Sequence, residues 1–436
     1  MLFTGLRRRR LNVAVIVAAV TVSVSPGAFA RGVSPRTVHQ RLAQVVAQIS
    51  ALGVPGGVVG VTGGRAGAYA NAFGAASAGQ AMSTRDHFRI GSITKTFTAT
   101  VILELVDRGE LALDQPISRW EPQIPGARRI TIKMLLDMRS GIWDEGGPGL
   151  TGLSLLSRWF GAHCVKPKSK TCGHYWKPQQ IVDLAIQQGQ AAYPPGTFYY
   201  SDTNYVILGI IAHRVTGKPF GWLVKHLVLD PLHLRHTSFP THTTTLPTPA
   251  TTGHVGVTVG TSELYQVVGV PSPSTFFGAG NMVSTLADLR VWARALGTGA
   301  LLKPATQRLR LRLASIGGEM VPLPQIAPIN GLPTNGLAPT GLPLSYGLGI
   351  AGAGDMLGHN GVLGFPGYTA EMWYLPNVGG TLVVLLNSYT TCAGGYLLSD
   401  AVTASLARVA FGSAVRGTAL PEFPGLSCPA VAASGG

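Results

Sequence analysis

A serine and a lysine lie three residues apart in the stretch RIGSITKTFTA, at Ser92 and Lys95, where an apolar helical pattern begins. If Ser92 opens a helix, Lys95 follows one turn later on nearly the same face. A serine hydroxyl is a poor nucleophile until a base takes its proton, and a buried lysine can be that base because burial lowers its pKa. The same residues also fit an ordinary N-cap serine and a solvated lysine. This stretch alone leaves both interpretations open.

Two further stretches place polar side chains beside regular elements. Tyr200 precedes the helical pattern SDTNYVILG, and a tyrosine hydroxyl can pass a proton to a leaving group where nearby cations stabilise its anion. His359 lies in GHNGVLGFPGYTA, just before a predicted strand, and an edge strand beside a serine can supply backbone N–H groups to an oxyanion. Each also has a plain interpretation, since such a tyrosine usually packs and such a histidine usually lies in a turn.

The elements that must position these residues are strands at both ends of the chain and helices between them. Apolar residues at helical spacing predict helices over 34–53, 201–217 and 396–412. Glycine-bounded stretches predict a hairpin at GGVVGVTGG and AGAYANAFGAAS, and later strands at SYGLGIAG, GYTAEMWYLP and GTLVVLLNSYT. This order predicts an α+β fold, in which helices flank a mostly antiparallel sheet built from both chain ends and a mainly helical lobe is inserted between them.

The N-terminus has the pattern of an export signal. Arg7 to Arg10 precede the apolar run 11–24, and Ala28-Phe29-Ala30 fits the small-x-small cleavage rule. We expect cleavage near Ala30 and an extracellular, periplasmic or cell-wall-associated protein, with an uncleaved membrane anchor as the alternative. The other expected boundaries are a single domain at 31–436, an α/β part at about 31–100 and 340–415, a helical part at about 101–300, a Pro/Gly-rich loop at 317–345 and a tail at 413–436.

The chain is strongly basic, with a formal net charge of +15. Such a charge in an exported protein suits association with an anionic cell-wall polymer or membrane surface. The basic residues are scattered and no groove-reading motif is present, which argues against nucleic acid as a partner.

Four cysteines, Cys164, Cys172, Cys392 and Cys428, are candidates for disulfides in an oxidising compartment. Proximity favours pairing the first with the second and the third with the fourth. The stretch HCVKPKSKTCGH also offers two cysteines and two histidines to a zinc ion. The disulfide is favoured because export favours oxidation.

The three polar stretches, in this order and at these separations, resemble the serine β-lactamase and penicillin-binding-protein superfamily, in the branch of class C β-lactamases, DD-carboxypeptidases and related esterases. That family shows Ser-x-x-Lys, then Tyr-x-Asn, then Lys/His-x-Gly. This chain shows SITK from Ser92, YSD from Tyr200 and HNG from His359. Supporting phrases such as LVDRGELALDQPIS and GNMVSTLADL extend the resemblance over about residues 36–412.

The resemblance implies a role for each matching residue and requires neither a metal nor an organic cofactor. Ser92 would form an acyl-enzyme after Lys95 accepts its proton, and Tyr200 would pass protons to the leaving group. The backbone N–H groups of Ser92 and Val362 would form the oxyanion hole. The residues that would contact the substrate are Asp202, His359, Asn360 and Gly361.

Two departures from the family pattern affect the chemistry. Asp202 replaces the usual asparagine, and its charge would favour the protonated form of Lys95 and weaken it as a base, unless a cation such as His359 compensates. His359 replaces the lysine common in β-lactamases, as in the DD-carboxypeptidase and esterase members.

The sequence therefore predicts an exported serine hydrolase, most like a D-alanyl-D-alanine carboxypeptidase or a β-lactamase-related enzyme acting on a peptidoglycan peptide. The alternative is an esterase or amidase on the same fold that acts on small esters or lactones, and a non-catalytic ligand-binding member is a third interpretation. The absence of a G-x-S-x-G elbow excludes an α/β-hydrolase.

Overall fold

The computed structural model describes residues 34–144, 163–164, 172–187, 189, 192–259, 262–316, 344–390 and 397–416. The predicted signal segment 1–30, Cys392 and Cys428 lie outside these residues, as do nearly all of the Pro/Gly-rich stretch 317–345 and most of the tail 413–436. No helix of the described residues is both long and apolar enough to span a bilayer.

The strands of the large sheet come from both ends of the chain, as the sequence predicts, and most of the helices lie between them. Short strands at 254–259, 262–266 and 283–284 also lie in the part that is expected to be helical. The strands are β1 (Gly56–Gly63), β2 (Gly67–Ser77), β3 (Gln80–Ala81), β4 (Phe88–Arg89), β5 (His254–Val259), β6 (Ser262–Gln266), β7 (Val283–Ser284), β8 (Ala314–Ser315), β9 (Leu344–Tyr346), β10 (Ala351–Ala353), β11 (Met356–Leu363), β12 (Tyr368–Leu375), β13 (Gly380–Leu386) and β14 (Ser388–Tyr389). The α-helices are α1 (Pro35–Ala51), α2 (Thr94–Asp107), α3 (Ile132–Leu136), α4 (Pro178–Ile186), α5 (Thr203–Thr216), α6 (Phe220–Val224), α7 (Leu286–Thr298), α8 (Pro304–Arg310) and α9 (Leu398–Phe411).

A nine-stranded antiparallel sheet forms the centre of the fold, in the order β3-β2-β1-β13-β12-β11-β10-β9-β8. The early hairpin joins the late strands through β1 and β13, where Val59 lies opposite Val384. All residues of β12 and β13 are buried, so both faces of the sheet are covered there. Helices α1 and α9 pack together, and both α9 and α7 pack against β12 and β13. The α+β prediction is confirmed.

Local capping explains where several helices begin and end. Thr285 is the N-cap of α7, and its side chain accepts a hydrogen bond from the backbone N–H of Asp288. Helix α5 ends at Gly217, which has the left-handed conformation that glycine adopts without strain (φ 67°). In α1 the buried residues are the five that the apolar spacing predicts: Val38, Leu42, Val45, Val46 and Ile49.

Two helices from the middle of the chain contact the large sheet: α2 contacts β11, and α7 contacts β1, β11, β12 and β13. Helix α5 contacts α2, α3 and α4, which makes it the centre of the inserted lobe. The three-stranded sheet β14-β5-β6 is not predicted from the sequence, because β14 and β5 pair in parallel across a long separation along the chain.

The first cysteine pair forms a disulfide between Cys164 and Cys172, the pairing that proximity favours. The two sulfur atoms are thus covalently bonded to each other. The part of the chain that the structure describes holds no cluster of three or more potential metal ligands.

Candidate active site

Ser92 lies on a short 3-10 turn, Gly91–Ile93, that leads directly into α2. Gly91 has a left-handed conformation (φ 48°), and a Cβ atom there would lie 2.7 Å from the backbone nitrogen of Val362. Only glycine therefore allows the turn to approach β11 this closely. The turn presents the Ser92 hydroxyl at the start of the helix, on a partly exposed residue.

Lys95 lies one turn later, and its side chain is fully buried. Its Nζ donates to Ser92 Oγ at 2.8 Å and to the backbone oxygen of Ala279 at 3.1 Å. It also forms an ion pair with Asp202 Oδ1 at 2.6 Å. Burial alone would lower the pKa of Lys95, but the carboxylate of Asp202 and the neighbouring Tyr200 together outweigh burial and hold that pKa above its ordinary value. Lys95 is therefore an ammonium group in the resting site.

Tyr200 and Asp202 reach the site from the start of α5, where Asp202 is the N-cap residue. The backbone N–H of Asp202 donates to Asp144 Oδ1 at 2.6 Å, and Ser201 Oγ donates to the backbone oxygen of Trp143 at 3.2 Å. These bonds fix the segment that carries both functional side chains. Lys95 Nζ lies 4.9 Å from the centre of the Tyr200 ring.

The phenol of Tyr200 is a neutral proton donor at physiological pH. Burial raises the pKa of Tyr200 to about 12, although Lys95 opposes this rise. A group that keeps its proton in the resting site suits delivery of a proton to a leaving group.

Backbone N–H groups of β11 and of the serine turn lie side by side. Strand β10 pairs with β11 only as far as Gly358, so on that edge the following residues of β11 have no strand partner among the described residues. A Cβ atom on Gly361 would lie 3.2 Å from the backbone nitrogen of Ser92, and one on Gly91 would lie 2.7 Å from that of Val362. The backbone nitrogens of Ser92 and Val362 thus lie close to the serine hydroxyl, which makes them the candidate donors to a developing oxyanion.

His359 is buried, with 1% of its surface exposed, and both of its ring nitrogens have partners. Nδ1 lies 2.5 Å from the backbone oxygen of Asn360 and Nε2 lies 3.1 Å from the hydroxyl of Tyr346. Because a carbonyl only accepts, Nδ1 carries the proton and Nε2 accepts from Tyr346. Burial, together with the charge of Lys95, lowers the pKa of His359 to about 3. His359 is thus neutral and does not compensate the charge of Asp202.

The structure brings most of the predicted site residues together around Lys95. They are Ser92, Tyr200, Asp202, His359, Gly361 and Val362. Asn360 follows on the same strand and is half-buried. Two tyrosines of this cluster are not evident from the sequence. Tyr205 lies with its ring 5.8 Å from Lys95 Nζ, and Tyr346 bonds to His359 from β9.

Comparisons with known proteins identify the family to which this fold belongs. The family model described as Beta-lactamase matches residues 42–400. The putative penicillin-binding protein PbpX of Bacillus subtilis (strain 168) is 28% identical over 216 residues, which is 49% of this chain and 47% of that protein. The esterase EstB of Burkholderia gladioli is 31% identical over 170 residues, 37% of this chain and 41% of that protein. The chain therefore spans less than half the length of either relative.

A solved structure extends the likeness over nearly the whole domain. The D-stereospecific amidohydrolase from Streptomyces sp. matches with a TM-score of 0.67 and 26% identity, over 86% of this chain and 99% of that one. Since the family model covers most of the chain and the fold agrees with it, this chain belongs to the Beta-lactamase family.

Proposed function

We propose that this chain is an exported serine hydrolase that transfers an acyl group from a small ester or amide to Ser92 and then to water. The observation that carries this proposal is the contact of 2.8 Å between Ser92 Oγ and Lys95 Nζ, beside the backbone N–H groups of Ser92 and Val362. A nucleophile, a proton carrier and oxyanion donors are the parts that acyl transfer needs.

Acylation begins when Lys95 has lost one proton and can accept another. Ser92 Oγ attacks the carbonyl carbon while its proton moves to the amine of Lys95, and the carbonyl oxygen becomes an oxyanion held by the two N–H groups. Collapse of this intermediate breaks the bond to the leaving group. Tyr200 donates a proton to the departing atom and recovers one from the Lys95 ammonium, which restores the neutral amine.

Deacylation repeats these transfers with water as the nucleophile. Water attacks the acyl carbon, its proton passes to the Tyr200–Lys95 pair, and Ser92 leaves as an alcohol when that proton is returned to Oγ. Asp202 acts against the first step because its carboxylate stabilises the ammonium form of Lys95. We therefore expect the active fraction of the enzyme to increase towards alkaline pH.

A second candidate is a D-alanyl-D-alanine carboxypeptidase-like activity on a peptidoglycan peptide. The likeness to a putative penicillin-binding protein favours it, as does the net charge of +15, which suits contact with an anionic cell wall. The esterase and amidohydrolase relatives favour the first candidate. The two differ in whether the leaving group carries a carboxylate.

The experiment that tests the proposal is intact-protein mass measured over time after mixing with p-nitrophenyl acetate and, separately, with benzylpenicillin. We expect an acyl adduct with the ester in the wild-type protein and in Ser50→Ala, a matched control at an exposed serine of α1. Ser92→Ala should form no adduct. An adduct that persists in Ser92→Ala would contradict the proposed nucleophile.

A further inference from the structure

We propose that Asp144 is a positioning residue of this site: its carboxylate fixes the backbone of Asp202 and so holds the start of helix α5 against Lys95. This inference rests on the proposed function, because it takes Lys95 and Tyr200 as the groups that carry protons to and from Ser92. It adds a residue that belongs to none of the three sequence motifs and acts through one of them.

Helix α5 begins without the side-chain cap that an aspartate usually provides. An N-cap aspartate normally accepts a hydrogen bond from a backbone N–H of the first turn and so satisfies one of the free donors there. Asp202 occupies the N-cap position, but its side chain makes no such bond within the described residues. Its carboxylate is instead paired with Lys95 at 2.6 Å. The start of α5 therefore depends on an acceptor from another segment.

Asp144 supplies an acceptor at this helix start. Its Oδ1 accepts from the backbone N–H of Asp202 at 2.6 Å, and a short contact is expected where the acceptor is ionised. The two residues are 58 positions apart along the chain, so the bond joins the loop after α3 to the start of α5. One carboxylate thus holds the backbone while the other is left to pair with the lysine.

The loop that carries Asp144 is held in place by further bonds. The backbone N–H of Tyr199 donates to the backbone oxygen of Met138 at 2.8 Å, and Ser140 Oγ donates to Asn204 Oδ1 at 2.6 Å. Met138 has a left-handed conformation (φ 61°), which a non-glycine residue keeps only where its surroundings impose it. The loop is therefore bonded to the chain on both sides of the YSD motif, and Asp144 acts from a fixed position.

The separation of Asp202 from Lys95 is what this anchor controls. Asp202 favours the ammonium form of Lys95. Burial raises the pKa values of Tyr200 and Tyr205 and lowers that of His359, so these neighbouring groups are neutral. If the start of α5 moved away, the pKa of Lys95 would fall and the phenol of Tyr200 would be misplaced at the same time.

The test records the kcat/KM–pH profile with p-nitrophenyl acetate for two variants. Asp144→Ala removes the acceptor, and we expect the ascending limb to shift down by at least about half a unit, because Asp202 then lies farther from Lys95. Asp144→Asn keeps an acceptor oxygen without the charge and should leave the limb in place. In the double variant of Asp144→Ala with Asp202→Asn, the limb should lie where it lies in Asp202→Asn alone, since Asp144 acts through that carboxylate.

The rate above the limb reports the position of Tyr200. Asp202→Asn removes the carboxylate but keeps the backbone bond to Asp144, whereas Asp144→Ala breaks that bond. At a pH above both limbs we expect kcat of Asp144→Ala to be at least about tenfold below that of Asp202→Asn. Asp144→Glu keeps the charge but displaces the acceptor by one methylene. It carries the test if Asp144→Ala does not fold, and it should show the same shift in weaker form.

Asp107→Ala is the matched control. Asp107 Oδ2 accepts from the backbone N–H of Lys303, the N-cap residue of α8, at 2.7 Å, and α8 carries none of the proposed catalytic residues. This variant should leave the limb in place. An unshifted limb in Asp144→Ala, or an equal shift in Asp144→Asn or Asp107→Ala, would overturn the proposal. Turnover at the wild-type rate in Ser92→Ala would instead contradict the proposed function.

Discussion

Two fully buried cations, Lys95 of helix α2 and Arg310, which bonds to the same helix, have pKa values shifted in opposite directions. Lys95 has a carboxylate oxygen of Asp202 at 2.6 Å, and its pKa is raised above the ordinary value. Arg310 bonds to neutral partners, the hydroxyl of Thr100 and the backbone oxygen of Leu348, and burial lowers its pKa to about 10. Burial alone thus makes a buried cation easier to deprotonate, and at Lys95 the carboxylate of Asp202, with Tyr200, reverses the effect.

This comparison identifies Asp202 as the residue that sets the protonation state of the site. A lysine that must accept the Ser92 proton needs surroundings that lower its pKa, as those of Arg310 do. Lys95 instead lies in an ion pair of the kind that stabilises a charged side chain. The largest expected effect comes from removing the cation itself. Smaller effects are expected from replacing the carboxylate that is paired with this cation. Changes to a buried pair of acids that has no cation, and to an exposed ion pair, should have still smaller effects.

Lys95→Met should have the largest effect. It removes the group that carries the proton from Ser92, and we expect kcat/KM for an aryl ester to fall by about 10²- to 10⁴-fold. The rate of p-nitrophenol release measures this. Arg310→Met, which removes a buried cation that is not bonded to Ser92, is the comparison variant. An equal loss in both variants would mean that Lys95 acts only through the fold.

Asp202→Asn should move the alkaline rise of the rate to lower pH. Without the carboxylate, burial lowers the pKa of Lys95 as it does for Arg310, so the neutral amine forms at lower pH. We expect the ascending limb of the kcat/KM–pH profile to shift down by at least about one unit. Asp230→Asn, at an exposed pair with Lys225, is the matched control. A profile that keeps its position in Asp202→Asn would refute this role of the carboxylate.

A buried acid pair without a cation should make stability depend on pH. Glu371 accepts hydrogen bonds from Trp373 and Ser399, and burial raises its pKa well above the ordinary value. Burial likewise raises the pKa of its neighbour Asp400 to about 7. These groups have raised pKa values in the folded state, so their contribution is fully present below about pH 4, the unfolded value, and is lost as pH rises through about 7.

The prediction is therefore a lower free energy of unfolding at pH 8 than at pH 5, by about 1 to 3 kcal/mol from this pair. Urea denaturation of the wild type and of Asp400→Asn at both pH values isolates the pair, because other titrating groups are common to both proteins. Equal pH dependence in the two proteins would show that Asp400 ionises freely in the folded state.

Lys225→Ala should have the smallest effect. Its ion pair with Asp230 joins side chains that are 59% and 47% exposed, where water and salt screen the attraction. We expect the free energy of unfolding to change by less than about 0.5 kcal/mol and the pH–rate profile to stay in place. A change as large as that caused by the buried pairs would mean that exposure to water does not weaken this ion pair.

The parts of the site that depend on short-range geometry could be predicted from the sequence. Ser92 and Lys95 meet because one helical turn separates them, and the apolar spacing of residues 35–51 defines α1. The spacing of residues along the chain does not show that Tyr200 and His359 lie near Ser92 and Lys95. That expectation came from the resemblance to a known family.

The remaining features depend on contacts between distant segments. Tyr346 reaches His359 because β9 and β11 flank the same short strand β10, and the sequence shows no pattern that specifies that pairing. The neutral state of His359 follows from its burial, which a histidine in a glycine-rich stretch does not reveal. The sequence shows that Asp202 replaces the usual asparagine. It does not show how far that carboxylate lies from Lys95, because the contact joins distant segments of the chain.

The most direct test of the part played by Asp202 is the titration of Lys95 itself by NMR, using the chemical shifts of ¹³C-labelled lysine side chains, with Lys95→Met to assign the signal. We expect Lys95 of the wild-type protein to remain an ammonium group past the ordinary lysine pKa of about 10.4, and in Asp202→Asn to lose its proton below that value. A wild-type signal that titrates below the ordinary value, or one that is unchanged in Asp202→Asn, would contradict the conclusion that Asp202 sets the protonation state of the site.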